Sequence, residues 1–202
     1  MNAGTLVCIV DDDEAIRDSI RLLLYAAGLG SCCYVSADEY LQRSDQLEFD
    51  CMLLDIRMPG MDGIEFFRHL QKWKVPFPVI FITGHGDIPL AVNAIKQGAF
   101  DFLTKPFKKG ELLNKVKAAI DFRRQNQLSL QRVSDITARM LSCTPREQEV
   151  MKLMIKGLSN KGIAGDLNIS PRTVEIHRAH VMEKMQADSL PALVLMMTEI
   201  NT

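Results

Sequence analysis

Asp11 and Asp12 follow the apolar run TLVCIV, Asp55 follows CMLL, Thr83 ends a run that begins PVIFI, and Lys105 comes just after FDFL. Each run reads as a buried strand, so these polar groups fall together at one edge of one sheet. A carboxylate is a competent phosphoryl acceptor, because its attack on phosphorus gives an acyl phosphate. The transfer needs an in-line pose and neutralised charge on the equatorial oxygens. A cation held by carboxylates would supply one half of that neutralisation and Lys105 the other. Mg²⁺ suits such a site, since it takes oxygen ligands and keeps several waters. Asp11, Asp12 and Asp55 offer those oxygens, with the backbone carbonyl of Arg57 as a further ligand. Thr83 offers a hydroxyl donor to arriving phosphoryl oxygens, and the small Gly84 beside it leaves the site open.

A plainer explanation is that Asp11-Asp12-Asp13-Glu14 only favours a helix N-terminus. That accounts for Asp13 or Glu14, but not for Asp55, which stands alone after a buried run. Lys105 would mean little by itself; its place between a strand and Pro106 gives it weight.

The elements that must position these groups are legible along the chain. Strands are expected at Thr5–Val10, Ser31–Val35, Asp50–Leu54, Val79–Thr83 and Asp101–Leu103. Ile16, Ile20, Leu23 and Leu24 share one face of a first helix, which Gly28 ends as a C-cap. Ser36-Ala37-Asp38-Glu39 opens a second helix with a capping pattern. Gly63–Lys74 is the third, stopped by Val75-Pro76. Asp87–Gln97 is the fourth, stopped by Gly98, and a fifth begins near Lys109. Strand–helix alternation of this kind gives a doubly wound parallel sheet, which binds ligands beyond the carboxyl ends of its strands.

With 202 residues, 47% hydrophobic and 24% charged, the chain is long enough for two small domains that each bury a core. A net charge of -1 excludes any global basic signal for nucleic acid or membrane. The apolar runs are too short to span a bilayer, and MNAGTLVC lacks the pattern of a secretory signal, so a cytoplasmic location is expected. Cys8, Cys32, Cys33, Cys51 and Cys143 form no Cys-x-x-Cys pair and read as buried reduced thiols.

Residues 1–121 are read as the α/β domain, 122–140 as a helical linker, and 141–202 as a second, all-α domain. In the second domain Thr144-Pro145-Arg146-Glu147 is a helix start with a capping box. Val150, Leu153 and Met154 form its buried stripe and Gly157 ends it. Ser159–Leu167, a tight turn at Asn168-Ile169, and a helix from Ser170-Pro171 to about Met185 make a helix-turn-helix pattern. A fourth helix spans Leu190–Ile200.

The motifs VDDDEAIR, LLDIRMPGMDG, FITGH and FLTKPF resemble the receiver domain of two-component response regulators over roughly residues 5–120. The resemblance implies a (βα)5 fold in which Asp55 takes a phosphoryl group from a phosphohistidine on a sensor histidine kinase. It implies that Asp11 and Asp12 bind Mg²⁺, and that Lys105 pairs with phosphorylated Asp55. It further implies a cis Lys105-Pro106 bond and a switch pair, Thr83 and Phe102, whose hydroxyl and aromatic ring move together.

Residues 152–184 carry six Lys or Arg against three acids, a modest surplus. The motif is stronger than the charge: LSCTPREQEVMKLMIKGLSNKGIAGDLNISPRTVEIHRAHVMEKM resembles the LuxR/FixJ-type helix-turn-helix over about residues 142–200. By that resemblance the stretch from Arg172 to Lys184 includes the recognition helix. Lys161, Arg172, Thr173, His177 and Lys184 are then candidates for backbone phosphates. Glu175, Ile176, Arg178 and Ala179 are candidates for base edges, with Glu175 accepting from cytosine and Arg178 donating to guanine. Gly162 and Gly165 depart from the family by weakening the short helix, each by about 1 kcal/mol relative to Ala. His177 reads equally well as a packing residue.

The expected function is a phosphorylation-controlled, non-enzymatic transcription regulator. It dimerises on phosphorylation and binds promoter DNA, most often as an activator, with RNA polymerase a further candidate partner. Two alternatives stand beside it. One is a phosphate relay whose second domain binds protein. The other is an aspartate-based phosphatase of the haloacid-dehalogenase type, which Asp11 and Asp13 fit and Ala15 does not.

Overall fold

The described residues form five strands, β1 (Leu6–Val10), β2 (Gly30–Tyr34), β3 (Cys51–Asp55), β4 (Val79–Thr83) and β5 (Asp101–Thr104). The structure, a computed structural model, describes residues 4–43, 48–84 and 87–200. The strands pair in parallel in the order β2-β1-β3-β4-β5. β3 and β4 are buried along their whole length, which is why CMLL and VIFI read as continuous apolar runs instead of alternating ones.

Helices α1 (Glu14–Ala26), α2 (Ala37–Arg43), α3 (Gly63–Lys72), α4 (Ile88–Lys96) and α5 (Lys109–Ser142) alternate with the strands. On one sheet face Tyr40 of α2, Phe66, Phe67 and Leu70 of α3, and Ala91 and Ala94 of α4 pack over Val10, Leu54 and Phe81. On the other, Ile20 and Leu24 of α1 join Leu112, Val116 and Ile120 of α5 over Val7, Leu53 and Ile80. This is the expected doubly wound sheet. Because β2 and β3 flank β1 on opposite sides, the chain leaves β1 and β3 in different directions, and a crevice opens at their carboxyl ends.

Element ends differ from the sequence expectation by a residue or two, for local reasons. α1 stops at Ala26, and Gly28 takes the position after the C-cap with φ +76°. The Gly28 N–H donates to the Tyr25 carbonyl and the Leu29 N–H to Leu24, the paired bonds that a left-handed residue makes there. α3 ends at Lys72, two residues early, because Lys74 turns left-handed at φ 53°. The amides of Lys74 and Val75 then bond back to Gln71 and Leu70.

The chain divides into two compact units between Asn126 and Gln127. Residues 122–140 lie within α5. The second unit adds α6 (Pro145–Ile155), α7 (Asn160–Leu167), α8 (Pro171–Met185) and α9 (Leu190–Ile200). Its core is built on Val150, Met151, Met154, Ile163, Val174, Val181, Met185 and Leu193. The Thr144/Glu147 capping box forms as expected, and Ser159 and Ser170 cap α7 and α8. Asn168 makes the tight turn at φ 52°. Cys8, Cys51 and Cys143 are buried, and all five cysteines are free thiols. Burial pushes the Cys8 thiol well up, which keeps it unreactive. Among the described residues no helix is long and apolar enough to cross a membrane.

Candidate functional site

The crevice gathers residues far apart in sequence. Asp11 follows β1, Asp55 ends β3, Thr83 ends β4, and Lys105 follows β5. Asp11 and Thr83 have no exposure and Asp55 has 4%. The Lys105 Nζ donates to Asp11 Oδ2 at 2.9 Å and to Asp55 Oδ1 at 2.7 Å. The Asp13 amide holds the other oxygen of Asp11 at 3.0 Å, and the Arg57 amide holds Asp55 Oδ2 at 2.9 Å. The Lys105-Pro106 bond is cis, and the Lys105 amide donates to the Thr83 carbonyl at 2.7 Å. The Thr83 hydroxyl donates to the Gly84 carbonyl at 3.0 Å. His85 of the FITGH motif lies outside the described residues.

Two buried carboxylates share one ammonium, so the site is short of positive charge. Burial pushes the Asp55 carboxyl up, and the bond from Lys105 only partly opposes it. Burial pulls the Lys105 ammonium down, but its bonds to Asp55 and Asp11 outweigh this and raise it. Oxygens of Asp11, Asp12 and Asp55 come within 4.8 Å of one another. An all-oxygen donor set with a charge deficit fits a hard divalent cation.

Gly63 was not read from the sequence as part of this site, yet it sets the position of Asp55. A Cβ there would lie 2.0 Å from the Asp55 carbonyl oxygen, because α3 starts directly against the end of β3. The Gly63 amide donates to the Ile56 carbonyl at 3.0 Å. We expect Gly63→Ala to displace this backbone and destabilise the first unit by about 2 kcal/mol or more. Thermal unfolding followed by circular dichroism checks it; an unchanged melting temperature would contradict the assigned packing.

Asp13 serves as the N-cap of α1, accepting from the Ala15 and Ile16 amides. It is therefore held as a cap and is not placed as the second catalytic acid that the phosphatase alternative requires.

In the second unit α7, the Asn168 turn and α8 present the expected helix-turn-helix. On α8, Arg172, Glu175, Ile176 and Ala179 are exposed, and Thr173, His177 and Arg178 are half-buried; Lys161 on α7 is exposed. Several of these side chains already have partners within the chain. Arg172 Nη1 donates to Glu175 Oε2 at 3.0 Å. The Thr173 hydroxyl is 2.8 Å from that of Ser170. His177 turns its Nδ1 inward, where it is buried and has no hydrogen-bond partner among the described residues, so packing accounts for part of its role. Lys184 donates to the buried Glu147 Oε2 at 2.6 Å.

Glu147 thus ties α6 to α8. The Lys184 bond, then the Thr144 amide, hold its carboxyl down at about 2. A depressed carboxylate contributes stability above its unfolded value and loses it as pH falls through the folded one. The window here runs from about 4.5 down to about 2. We expect Glu147→Gln to cost about 2 kcal/mol at neutral pH and to flatten the acid limb of the stability profile in that window. Chemical denaturation from pH 7 to pH 2 reads both; an acid limb identical to wild type would refute the assignment.

Comparison with known proteins agrees with this architecture. Residues 7–117 match the family described as "Response regulator receiver domain", and residues 141–197 match "Bacterial regulatory proteins, luxR family". The chain is 47% identical over 188 residues to the transcriptional regulatory protein FixJ of Bradyrhizobium diazoefficiens, covering 93% of this chain and 92% of that protein. It is 40% identical to the response regulator protein TodT of Pseudomonas putida, covering 95% and 84%. Among solved structures, the response regulator StyR superposes with a TM-score of 0.83 at 38% identity, covering 98% of this chain and 100% of that one. Full-length FixJ from B. japonicum superposes at 0.63 with 44% identity, covering 100% and 98%.

Proposed function

The chain belongs to the FixJ-type two-component response regulators with a LuxR-family DNA-binding domain, transcription regulators and not enzymes, and we propose that Asp55 is its phosphoacceptor. The observation that carries this reading is Lys105 Nζ bonded to both Asp11 and Asp55 across 94 and 50 residues of sequence. The donor is a phosphohistidine on a sensor histidine kinase, and this chain acts in the cytoplasm. An Asp55 carboxylate oxygen attacks phosphorus, the phosphorus–nitrogen bond breaks, and the imidazole leaves with its electron pair. The product is an acyl phosphate on Asp55.

Asp11, Asp12, Asp55 and the Arg57 carbonyl are the residues that would hold Mg²⁺, which when bound neutralises charge on the transferring group. The chain's own part is to orient. Lys105 pairs with the phosphorylated carboxylate. The Arg57 amide fixes the Asp55 rotamer, and the Thr83 hydroxyl exchanges its bond to the Gly84 carbonyl for one to a phosphoryl oxygen. Phe102 follows Thr83, and the surface of α4 and β5 then pairs two chains as a homodimer.

Two copies of α8 meet two half-sites of promoter DNA. Lys161, Arg172, Thr173 and His177 serve phosphates, with Lys184 reaching them only by leaving Glu147. Arg178 and Glu175 read bases beside Ile176 and Ala179. RNA polymerase is the partner through which activation would act.

Promoter footprinting with and without an acyl-phosphate donor plus Mg²⁺ tests this reading. Protection should strengthen with the donor and fall steeply with salt. Equal protection in both arms would contradict it.

A further inference from the structure

The side chain of Arg57 reaches the start of α4. Its Nε and Nη2 both donate to Asp87 Oδ1, at 2.8 and 2.6 Å. The Asp87 side chain is 7% exposed and that of Arg57 74%. Asp87 occupies the N-cap place of α4 but makes no bond to an α4 amide. The caps of α1, α3, α6, α7 and α8 all make such bonds, from extended backbone with ψ between 113° and 165°. At Asp87 ψ is 4°. Pro89 in the first turn removes one amide that a cap would serve, but the Leu90 amide remains. An aspartate well suited to capping is therefore held in another job.

The same Arg57 residue reaches the phosphorylation site through its main chain, where its amide donates to Asp55 Oδ2 at 2.9 Å. We propose that Asp87 is a positioning residue for this site. Through the Arg57 guanidinium it holds the Arg57 peptide, whose N–H orients Asp55 and whose carbonyl would be a ligand of the cation. This rests on the reading of Asp55 as phosphoacceptor. Leaving the buried Asp87 unpaired is costly, so the pair persists until another partner is offered. Phosphoryl oxygens on Asp55 compete for the guanidinium, and a released Asp87 caps the Leu90 amide only if its backbone also turns from ψ 4° to the extended region of the other caps. The pair thus gives α4 a second link to the site, separate from Thr83 and Phe102.

The test uses the full chain as wild type, Asp87→Asn, Arg57→Gln and the double variant, with folding verified by circular dichroism. Without metal, amide exchange read by NMR at Arg57 should quicken about tenfold in both single variants while other β3 amides stay unchanged. Mg²⁺ affinity, from chemical-shift titration, should weaken about tenfold or more, as for loss of any outer-shell support. The double variant should be no worse than either single, because both cut one link. Unchanged Arg57 exchange and Mg²⁺ affinity would overturn the proposal. So would effects that multiply in the double variant, or a loss of protection spread evenly over the sheet. Phosphorylation of wild-type Asp55 is scored separately: its absence sinks the acceptor reading itself, whereas its presence with unaltered variants sinks only the role of Asp87.

Discussion

Asp55→Asn should abolish phosphoryl uptake and the donor-dependent gain in DNA binding, while making the receiver more stable. The loss follows from removing the proposed nucleophile: amide nitrogen and oxygen do not form the acyl phosphate, and uptake should fall by on the order of 10³-fold. The gain in stability follows from the electrostatics of the crevice. The folded-state carboxyl of Asp55 is pushed up by burial. A raised carboxylate contributes stability below its unfolded value and loses it as pH rises through the folded one. At neutral pH the ionised group therefore opposes folding, and an isosteric amide relieves this by about 1 kcal/mol, a common trade at functional sites. Calorimetry in chelator should show the variant melting a few degrees above wild type at pH 7, with the gap closing toward pH 4. A variant that melts lower at pH 7, or that keeps its donor response, would contradict the assigned role.

Lys105→Met should act in the opposite direction on stability and also silence the response. Asp11 and Asp55 are both buried, and the ammonium is the cationic partner of each. Removing it leaves two carboxylates facing one another without neutralisation, which costs about 3 kcal/mol. The bonds to Asp55 and Asp11 that raise the lysine are the same bonds that are lost. A divalent cation held by Asp11, Asp12 and Asp55 would replace the missing charge. Millimolar Mg²⁺ should therefore recover much of the melting temperature by binding only the folded form, while DNA protection stays independent of donor. The variant should also bind Mg²⁺ more tightly than wild type, since the lysine no longer competes. A deficit that is the same in chelator and in Mg²⁺ would show that the acids do not form a cation site.

How much of this was legible in the sequence follows from the range of each interaction. β1, β3 and β4 are legible because they are buried on both faces and therefore apolar without alternation. The placement of Asp11, Asp55 and Lys105 followed, since a parallel sheet brings strand ends to one edge. Helix ends were legible to within a residue or two. Gly28 lies one place beyond the C-cap, and Lys74 takes a left-handed turn that its residue type does not advertise. Long-range pairs left no local trace. Nothing near Arg57 points to Asp87, 30 residues on, and nothing near Lys184 points to Glu147, 37 residues back. Lys184 looked like a phosphate ligand because its charge was visible and its partner was not. Gly63 closes the LLDIRMPGMDG motif, but only the backbone contact of α3 with β3 shows why that position takes no side chain.

Intact-mass analysis after incubation with an acyl-phosphate donor and Mg²⁺, followed by fragment mapping, decides whether Asp55 is the phosphoacceptor. The expected result is one added phosphoryl group, confined to the fragment that ends β3, labile to base as an acyl phosphate, and missing from Asp55→Asn. No added mass, or a phosphoryl group carried by any residue other than Asp55, would contradict it.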